Sequence, residues 1–217
     1  MGNGIMSKIV KSFVGYPMVA LTALALAACG DEAGDSAAET QASSSDSAAD
    51  PTKTLFASDF EGVCSGATVS AAAAYDPAGE GHKVLMFETW KNDDLIERSS
   101  SLPDDWTVQF SAEENMYKQV DLVLCAKRTA ETKVKTCEGY KSDGKETQNK
   151  VNWHTATYEL TLVEATTGKT VAEGSVNADS DSCPMFQSFE NESDVVDGYA
   201  RPSDASINDF LKPHMGA

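Results

Sequence analysis

Positive charge is scarce in this sequence. Its 217 residues include 17 Lys and Arg against 34 Asp and Glu, a formal net charge of −17. Nucleic-acid-binding proteins present a basic face to phosphate groups, so the composition argues against that class of protein. It equally argues against attachment to anionic lipid through charge. With only 7 prolines and 15 glycines, the chain is neither collagen-like nor disordered throughout.

Several familiar catalytic motifs are also missing. The sequence contains no HExxH, GxSxG or GxGxxG, and no P-loop of the form GxxxxGK followed by Ser or Thr. No CxxC occurs, and no cysteine has a histidine at zinc-ligand spacing. We therefore expect no cofactor. The absences favour a non-enzymatic binding or assembly module, and the alternative is a hydrolase whose carboxylates act without a recognisable motif.

The amino-terminal segment has the features of an export signal. Lys8 and Lys11 precede an uncharged stretch, and residues 17–28 are apolar or small. The sequence LAAC that ends at Cys29 resembles the lipobox of bacterial lipoproteins. The resemblance implies that Cys29 receives a diacylglyceryl group, that residues 1–28 are cleaved off as a signal peptide, and that the protein is held to a membrane by its lipid.

Two alternatives to lipidation remain. One is a transmembrane anchor, since the uncharged stretch approaches the ~20 residues that span a bilayer; the other is secretion with a free Cys29. In lipoproteins of this kind, Asp directly after the cysteine favours retention at the inner membrane. Gly30 occupies that place, so the resemblance implies an outer membrane, facing the periplasm, where the cell has one. In a cell with a single membrane it implies the outer face.

A linker and one domain follow the leader. Residues 29–53 comprise Cys29 and an acidic Ala/Ser-rich stretch without large apolar side chains, which predicts disorder. Residues 54–217 contain 28 acidic and 14 basic residues and are predicted to form a single extracytoplasmic domain. Alternating apolar residues predict a mainly β fold of antiparallel hairpins, arranged as a sandwich or a curved sheet. A short helix is expected at 206–215, with Ser206 as its N-cap.

Two hairpins carry most of the β prediction. The first joins a strand at 119–128 to one at 133–140 through a turn near Glu131. The second joins 154–165 to 170–178 through a turn in which Gly168 adopts a left-handed conformation. Further strands are predicted at 83–89 and 106–110.

Four cysteines lie outside the leader, an even number that predicts disulfides in an extracytoplasmic protein. In the first predicted hairpin, Cys125 and Cys137 are equally far from the turn and lie on the same face of their strands. Their positions predict a bridge between them and, by elimination, a second bridge between Cys64 and Cys183.

Candidate binding residues are few. Trp90 and Trp106 flank polar turns, where an exposed ring can stack on a ligand, although such residues also serve as ordinary core. Lys133 and Lys135 are predicted on the outward face of the first hairpin, where they either form weak surface ion pairs or present a cationic patch to an envelope protein or polymer.

Asp179 and Asp181 are a weak calcium candidate, because this stretch departs from the EF-hand pattern where Gly and Glu are required. The three histidines are expected at the surface.

Overall fold

The computed structural model describes residues 53–91, 93–109 and 115–216. The predictions for the signal peptide and Cys29, and for nearly all of the linker, lie outside these described residues. Among the described residues, no helix is long and apolar enough to span a bilayer.

The domain is mainly β with one short α-helix near its end, as predicted. Its strands are β1 (Val84–Thr89), β2 (Leu95–Glu97), β3 (Leu122–Cys137), β4 (Lys141–Ser142), β5 (Lys145–Glu146), β6 (Lys150–Glu164), β7 (Thr170–Ala178) and β8 (Val195–Tyr199). The helix is α1 (Asp204–Leu211). Single 3-10 turns occupy Ala57–Asp59, Glu61–Ser65, Ser99–Ser101, Asp104–Trp106, Met116–Gln119 and Lys212–His214.

Six of the strands form one mixed sheet. The order of the strands is β2-β1-β3-β6-β7. The long strand β6 has two neighbours on the same side: β8 pairs with its amino-terminal part, and β7 pairs with the remainder. The pairs β1–β3 and β6–β8 are parallel. The sheet is therefore mixed, and these two parallel pairs add to the antiparallel pairing that the sequence predicted. β4 and β5 form a separate two-stranded sheet.

The first predicted hairpin is wrong, because β3 is one continuous strand of 16 residues. Glu131, the predicted turn centre, instead pairs with Ala156 in the middle of β6. The residues around it, Thr-Ala-Glu-Thr at 129–132, include no glycine, asparagine or proline to reverse the chain. β6 offers hydrogen-bonding partners along nearly the whole of β3, so the strand continues through the predicted turn.

The second predicted hairpin is confirmed. β6 and β7 pair antiparallel, and Gly168 in the connecting turn has φ 71°. Along β6, Ala156, Tyr158 and Leu160 are buried on one face, as the alternation predicted.

The sheet is covered on both faces at one end. On one face, α1 packs Ile207 and Leu211 against Leu124 and Tyr158, forming what we term the helix-side core. On the other face, residues 55–72 cover Val123 and neighbouring side chains. Because both faces are covered there, every residue from 120 to 126 is buried rather than alternate ones.

Three smaller predictions need correction. The strand expected at 106–110 is absent through residue 109, where the chain leaves a 3-10 turn without pairing. The N-cap of α1 is Ser203, not Ser206: its hydroxyl accepts a hydrogen bond from the Ser206 backbone N–H at 3.2 Å. The helix ends at Leu211, just before a 3-10 turn that contains Pro213.

All four cysteines of the domain form disulfides, as expected, but the predicted partners are wrong. Cys64 is bonded to Cys125 and Cys137 to Cys183, with Cα–Cα distances of 5.6 and 5.8 Å. Cys137 lies twelve positions beyond Cys125 along the same extended strand, roughly 40 Å at the usual rise per residue. Once the hairpin is replaced by a continuous strand, these two cysteines cannot meet.

Candidate functional site

A pocket of about 560 Å³ opens beside the part of the sheet where β8 pairs with β6. Its lining is rich in rings: Trp90, Trp153, Tyr158, Phe186 and Tyr199. The charged residues at its wall are Lys91, Arg128 and Arg201, with Asp179 and Asp197. Three cations and two acids therefore line this pocket, in a chain whose acidic residues outnumber the basic ones two to one.

Trp153 is held in the wall of the pocket by β6 and β8. Its Cα is in register with Gly198, where an added Cβ would lie 3.0 Å from the indole ring and 2.7 Å from Val151 Cγ1. Glycine at this position therefore lets the ring pack over the neighbouring strand. Trp153 Nε1 donates a hydrogen bond to the Ser180 carbonyl oxygen at 2.8 Å, which fixes the edge of the indole.

Arg128 is a structural part of the wall. Its guanidinium carbon lies 3.6 Å from the centre of the Tyr199 ring, a stacked cation–π geometry. Its Nη1 donates to the Trp90 carbonyl oxygen at 3.1 Å, and its Nε lies 3.3 Å from a carboxylate oxygen of Glu131. The donors of Arg128 thus tie β3 to the chain that follows β1. Burial raises the pKa of both Tyr158 and Tyr199, so these phenols stay protonated.

A buried carboxylate lies behind the pocket. Glu88 is 0% exposed and is placed between two arginines. Its Oε2 accepts a hydrogen bond from Arg98 Nη1 at 2.5 Å, and its Oε1 lies 3.3 Å from Arg201 Nε. The second contact is an ion pair that lacks hydrogen-bond geometry, since Oε1 has no hydrogen-bond donor among the described residues. Burial lowers the pKa of the Arg201 guanidinium, which still remains charged at neutral pH.

Residues 179–194, here termed the 179–194 loop, form the outer wall. The Cys137–Cys183 disulfide joins the loop to the end of β3, and Tyr140 Oη donates to the Pro184 carbonyl oxygen at 3.2 Å. At its far end, the Asp194 carboxylate accepts hydrogen bonds from the backbone and side chain of Asn191, and these bonds lower the pKa of Asp194. The Asp194 backbone N–H also donates to Asn149 Oδ1 at 2.7 Å, so the loop is fixed on both sides of its tip.

The tip of this loop exposes two large apolar side chains. Met185 and Phe186 are 86% and 88% exposed. Phe186 lines the pocket, whereas Met185 lines only a neighbouring depression that includes Tyr140 and Phe189. Isolated exposed apolar residues are normal, but an exposed phenyl ring at the mouth of an aromatic pocket is well placed to contact a bound molecule.

Of the predicted ligand-binding tryptophans and lysines, one lines the pocket and three lie elsewhere. Trp90 lines the pocket, while Trp106 is half-buried against the helix-side core. Lys133 Nζ donates to Asn152 Oδ1 at 2.7 Å, and Lys135 Nζ donates to the Asp181 carbonyl oxygen. Both lysines lie along β3 rather than at a hairpin tip, and the pocket does not include them.

The calcium candidate gains no third ligand from the structure. Asp179 lines the pocket, and the carbonyl of Asp181 is engaged by Lys135. Within the described ranges, no group of three or more His, Cys, Asp or Glu side chains is arranged to hold a metal ion.

Two histidines depart from the surface placement expected of all three. The His154 side chain is only 13% exposed. His82 is buried, with Nδ1 2.5 Å from Asp121 Oδ2 and its ring 4.8 Å from that of Tyr75. Asp121 Oδ1 accepts a hydrogen bond from the Lys83 backbone N–H at 2.9 Å. The pair joins the starts of β1 and β3 and lies outside the pocket, so it has a structural role.

A serine-hydrolase pattern also occurs without the matching geometry. Residues 142–145 read Ser-Asp-Gly-Lys and fit SxxK. They form the turn between β4 and β5, with Asp143 and Gly144 at φ 50° and 76°, and all four residues are exposed. No described residue is hydrogen-bonded to the side chain of this exposed serine, so it is not held as a nucleophile would be.

Sequence reasoning missed most of the pocket. Three segments that no local motif links supply the key residues: Glu88 in β1, Phe186 in the 179–194 loop, and Tyr199 with Arg201 at the end of β8. One usable signal was charge: Arg201 is one of only three basic residues after position 150. A comparison with protein-family models, curated proteins and solved structures finds no match for this chain.

Proposed function

We propose that this chain is a lipid-anchored cell-envelope protein whose domain is a binding module, with the aromatic pocket as its ligand site. Diacylglyceryl-modified Cys29 holds the protein to the membrane, and the linker carries the domain away from it. The compartment is extracytoplasmic: the periplasmic face of an outer membrane, or the outer face of a single membrane. The paired cysteines of the domain support this placement, because disulfides persist in oxidising compartments.

The observation that carries the binding function is the pocket itself. Its volume of about 560 Å³ falls within the range of small-ligand sites, which combine apolar and aromatic walls with a few polar groups. The walls are held by a disulfide, two stacked arginines and the Trp153 hydrogen bond. A fixed aromatic pocket loses little entropy when it accepts a ligand.

The three tryptophans provide a direct test. Trp90 and Trp153 line the pocket and Trp106 does not. The indole N–H signals of the purified protein are followed by NMR during titration with maltotriose, N-acetyl-trialanine amide, indole and phenol. We expect at least one compound to shift the Trp90 and Trp153 signals and to leave Trp106 unmoved.

The loop tip supplies a matched pair of variants for the same titration. Phe186→Ala should weaken binding about two- to tenfold through loss of a ring contact. Met185→Ala, equally exposed but outside the pocket, should leave affinity unchanged. Signals that stay fixed with all four compounds, or equal effects of the two variants, would contradict a ligand site here.

A hydrolase is the second candidate, favoured by one observation: Asp179 and Asp197 line the same pocket. Asp197 Oδ1 already accepts a hydrogen bond from Asn152 Nδ2 at 3.1 Å, and His154 Nε2 lies 3.3 Å from the same oxygen. Cleavage of maltotriose or the peptide during the titration, abolished by Asp197→Asn, would establish this alternative.

A further inference from the structure

The guanidinium of Arg201 uses fewer of its N–H groups in hydrogen bonds than the other arginines around the pocket do. Only its Nε is close to an acid, Glu88, and the guanidinium carbon lies 4.5 Å from the centre of the Trp90 ring. Its Nη1 and Nη2 donate no hydrogen bond to any described residue. The side chain is 33% exposed and lines the pocket. The outer edge of this guanidinium is therefore open while its position is fixed.

The charge around Arg201 is also incompletely neutralised. Glu88 has a single negative charge, which it shares between Arg201 and Arg98. Arg98 has a second acid nearby, Asp204 at 3.9 Å, whereas Arg201 has no other acid within salt-bridge distance among the described residues. Arg128 is paired with Glu131. Of the two arginines that line the pocket, Arg201 is therefore the one whose charge is less completely neutralised.

We propose that Arg201 is the anion-binding residue of the pocket, and that the ligand is a small aromatic oxyanion. This inference rests on the proposed binding function and names its ligand class. The two free Nη donors match the two oxygens of a carboxylate or phosphate group. The ligand ring then lies among Trp90, Phe186 and Tyr199. Asp179 and Asp197 also line the pocket and disfavour a second anionic group, so the ligand has one carboxylate or one phosphate.

The test compares probes of one shape and different charge. Benzoate, phenyl phosphate and the uncharged benzamide are titrated into the purified protein, with the Trp90 and Trp153 indole signals as the readout. We expect at least one anion to bind ten times more tightly than benzamide. Benzoate and phenyl phosphate separate the carboxylate from the phosphate class.

Variants assign the preference to Arg201. Arg201→Gln should abolish the tenfold preference, and Arg201→Lys, which retains the charge beside Glu88 but not the two-pronged geometry, should keep part of it. Lys212→Gln removes an exposed cation outside the pocket and should keep all of it. Circular dichroism and the melting temperature check that each variant is folded; if Arg201→Gln unfolds, Arg201→Lys decides.

Two results would overturn the assignment. In one, benzamide and the anions shift the pocket signals with equal affinity, so the binding function stands and the anion class is wrong. In the other, none of the three probes shifts those signals. The binding function itself is decided separately, by the four compounds and the two loop-tip variants of the earlier titration.

Discussion

Glu88 illustrates how a single buried side chain positions distant groups. Its carboxylate has no exposure to water and contacts guanidinium groups from residues 98 and 201. A buried carboxylate is costly unless it is paired, so both arginines are held where Glu88 requires them. Arg201 then reaches Trp90 and the pocket.

Replacing Glu88 with Gln should destabilise the domain by about 1–3 kcal/mol, because a neutral amide cannot compensate two nearby guanidinium groups. The expected loss is at the modest end for a buried ion pair, since both arginines are partly exposed and can be hydrated. Urea unfolding measures the change. Glu159→Gln, on the exposed face of β6, is the control and should stay within about 0.5 kcal/mol of the parent. Equal unfolding midpoints for the two variants would show that Glu88 contributes nothing.

Single residues were predicted well only where their neighbours in sequence decide their environment. Gly168 was placed correctly because a tight turn depends on adjacent residues. The partners Glu88 and Arg201 are separated by more than a hundred residues and meet only through the sheet. A contact between such distant residues leaves no local pattern in the sequence. Most of the pocket was missed because its residues also come from distant segments.

At the scale of elements, the one pairing predicted correctly joins strands that are neighbours in sequence, and the pairings between distant strands were missed. β6 and β7 are joined by a short turn, so alternation and one glycine identified them. The two halves of β3 look like separate strands in sequence, but a partner supplied later in the chain, β6, keeps them continuous. The strands of the parallel pairs β1–β3 and β6–β8 are joined by long connections. No tight turn links them, so no turn sequence identifies them as partners.

The Cys137–Cys183 disulfide should matter more to the pocket than its share of stability suggests. The double variant Cys137→Ser/Cys183→Ser opens a 46-residue loop and should lower the free energy of unfolding by about 4 kcal/mol in the chain-entropy model. It should also speed amide hydrogen exchange in the 179–194 loop and weaken ligand binding. Cys64→Ser/Cys125→Ser, with a separation of 61 residues, should cost about as much stability and leave exchange in that loop unchanged. Identical loop exchange in both double variants would refute the tethering role.

At the scale of the whole molecule, charge is distributed unevenly. The chain has a formal charge of −17, whereas the pocket wall has three cations against two acids. An acidic surface keeps a protein soluble and disfavours adhesion to anionic polymers. In this acidic chain, the pocket is a place where a bound anion meets more positive than negative side chains.

The anchor makes its own prediction. Cys29→Ser removes the proposed lipidation site and should move the protein from the membrane to the soluble fraction, with loss of the lipid mass in mass spectrometry. Gly30→Asp keeps the cysteine and should remain membrane-bound, but in a cell with two membranes it should collect at the inner one. Membrane association of Cys29→Ser, together with no added lipid mass on the parent protein, would rule out the anchor.

The disulfide connectivity has a consequence for how the chain matures. The cysteines of the domain are joined in sequence order, first to second and third to fourth. If Cys29 is blocked by the proposed lipidation, a polypeptide that emerges from its amino terminus presents Cys64 and Cys125 before Cys137 and Cys183. An oxidase that joins thiols as they appear therefore makes the native bridges directly, and the protein should reach its oxidised form without a disulfide isomerase.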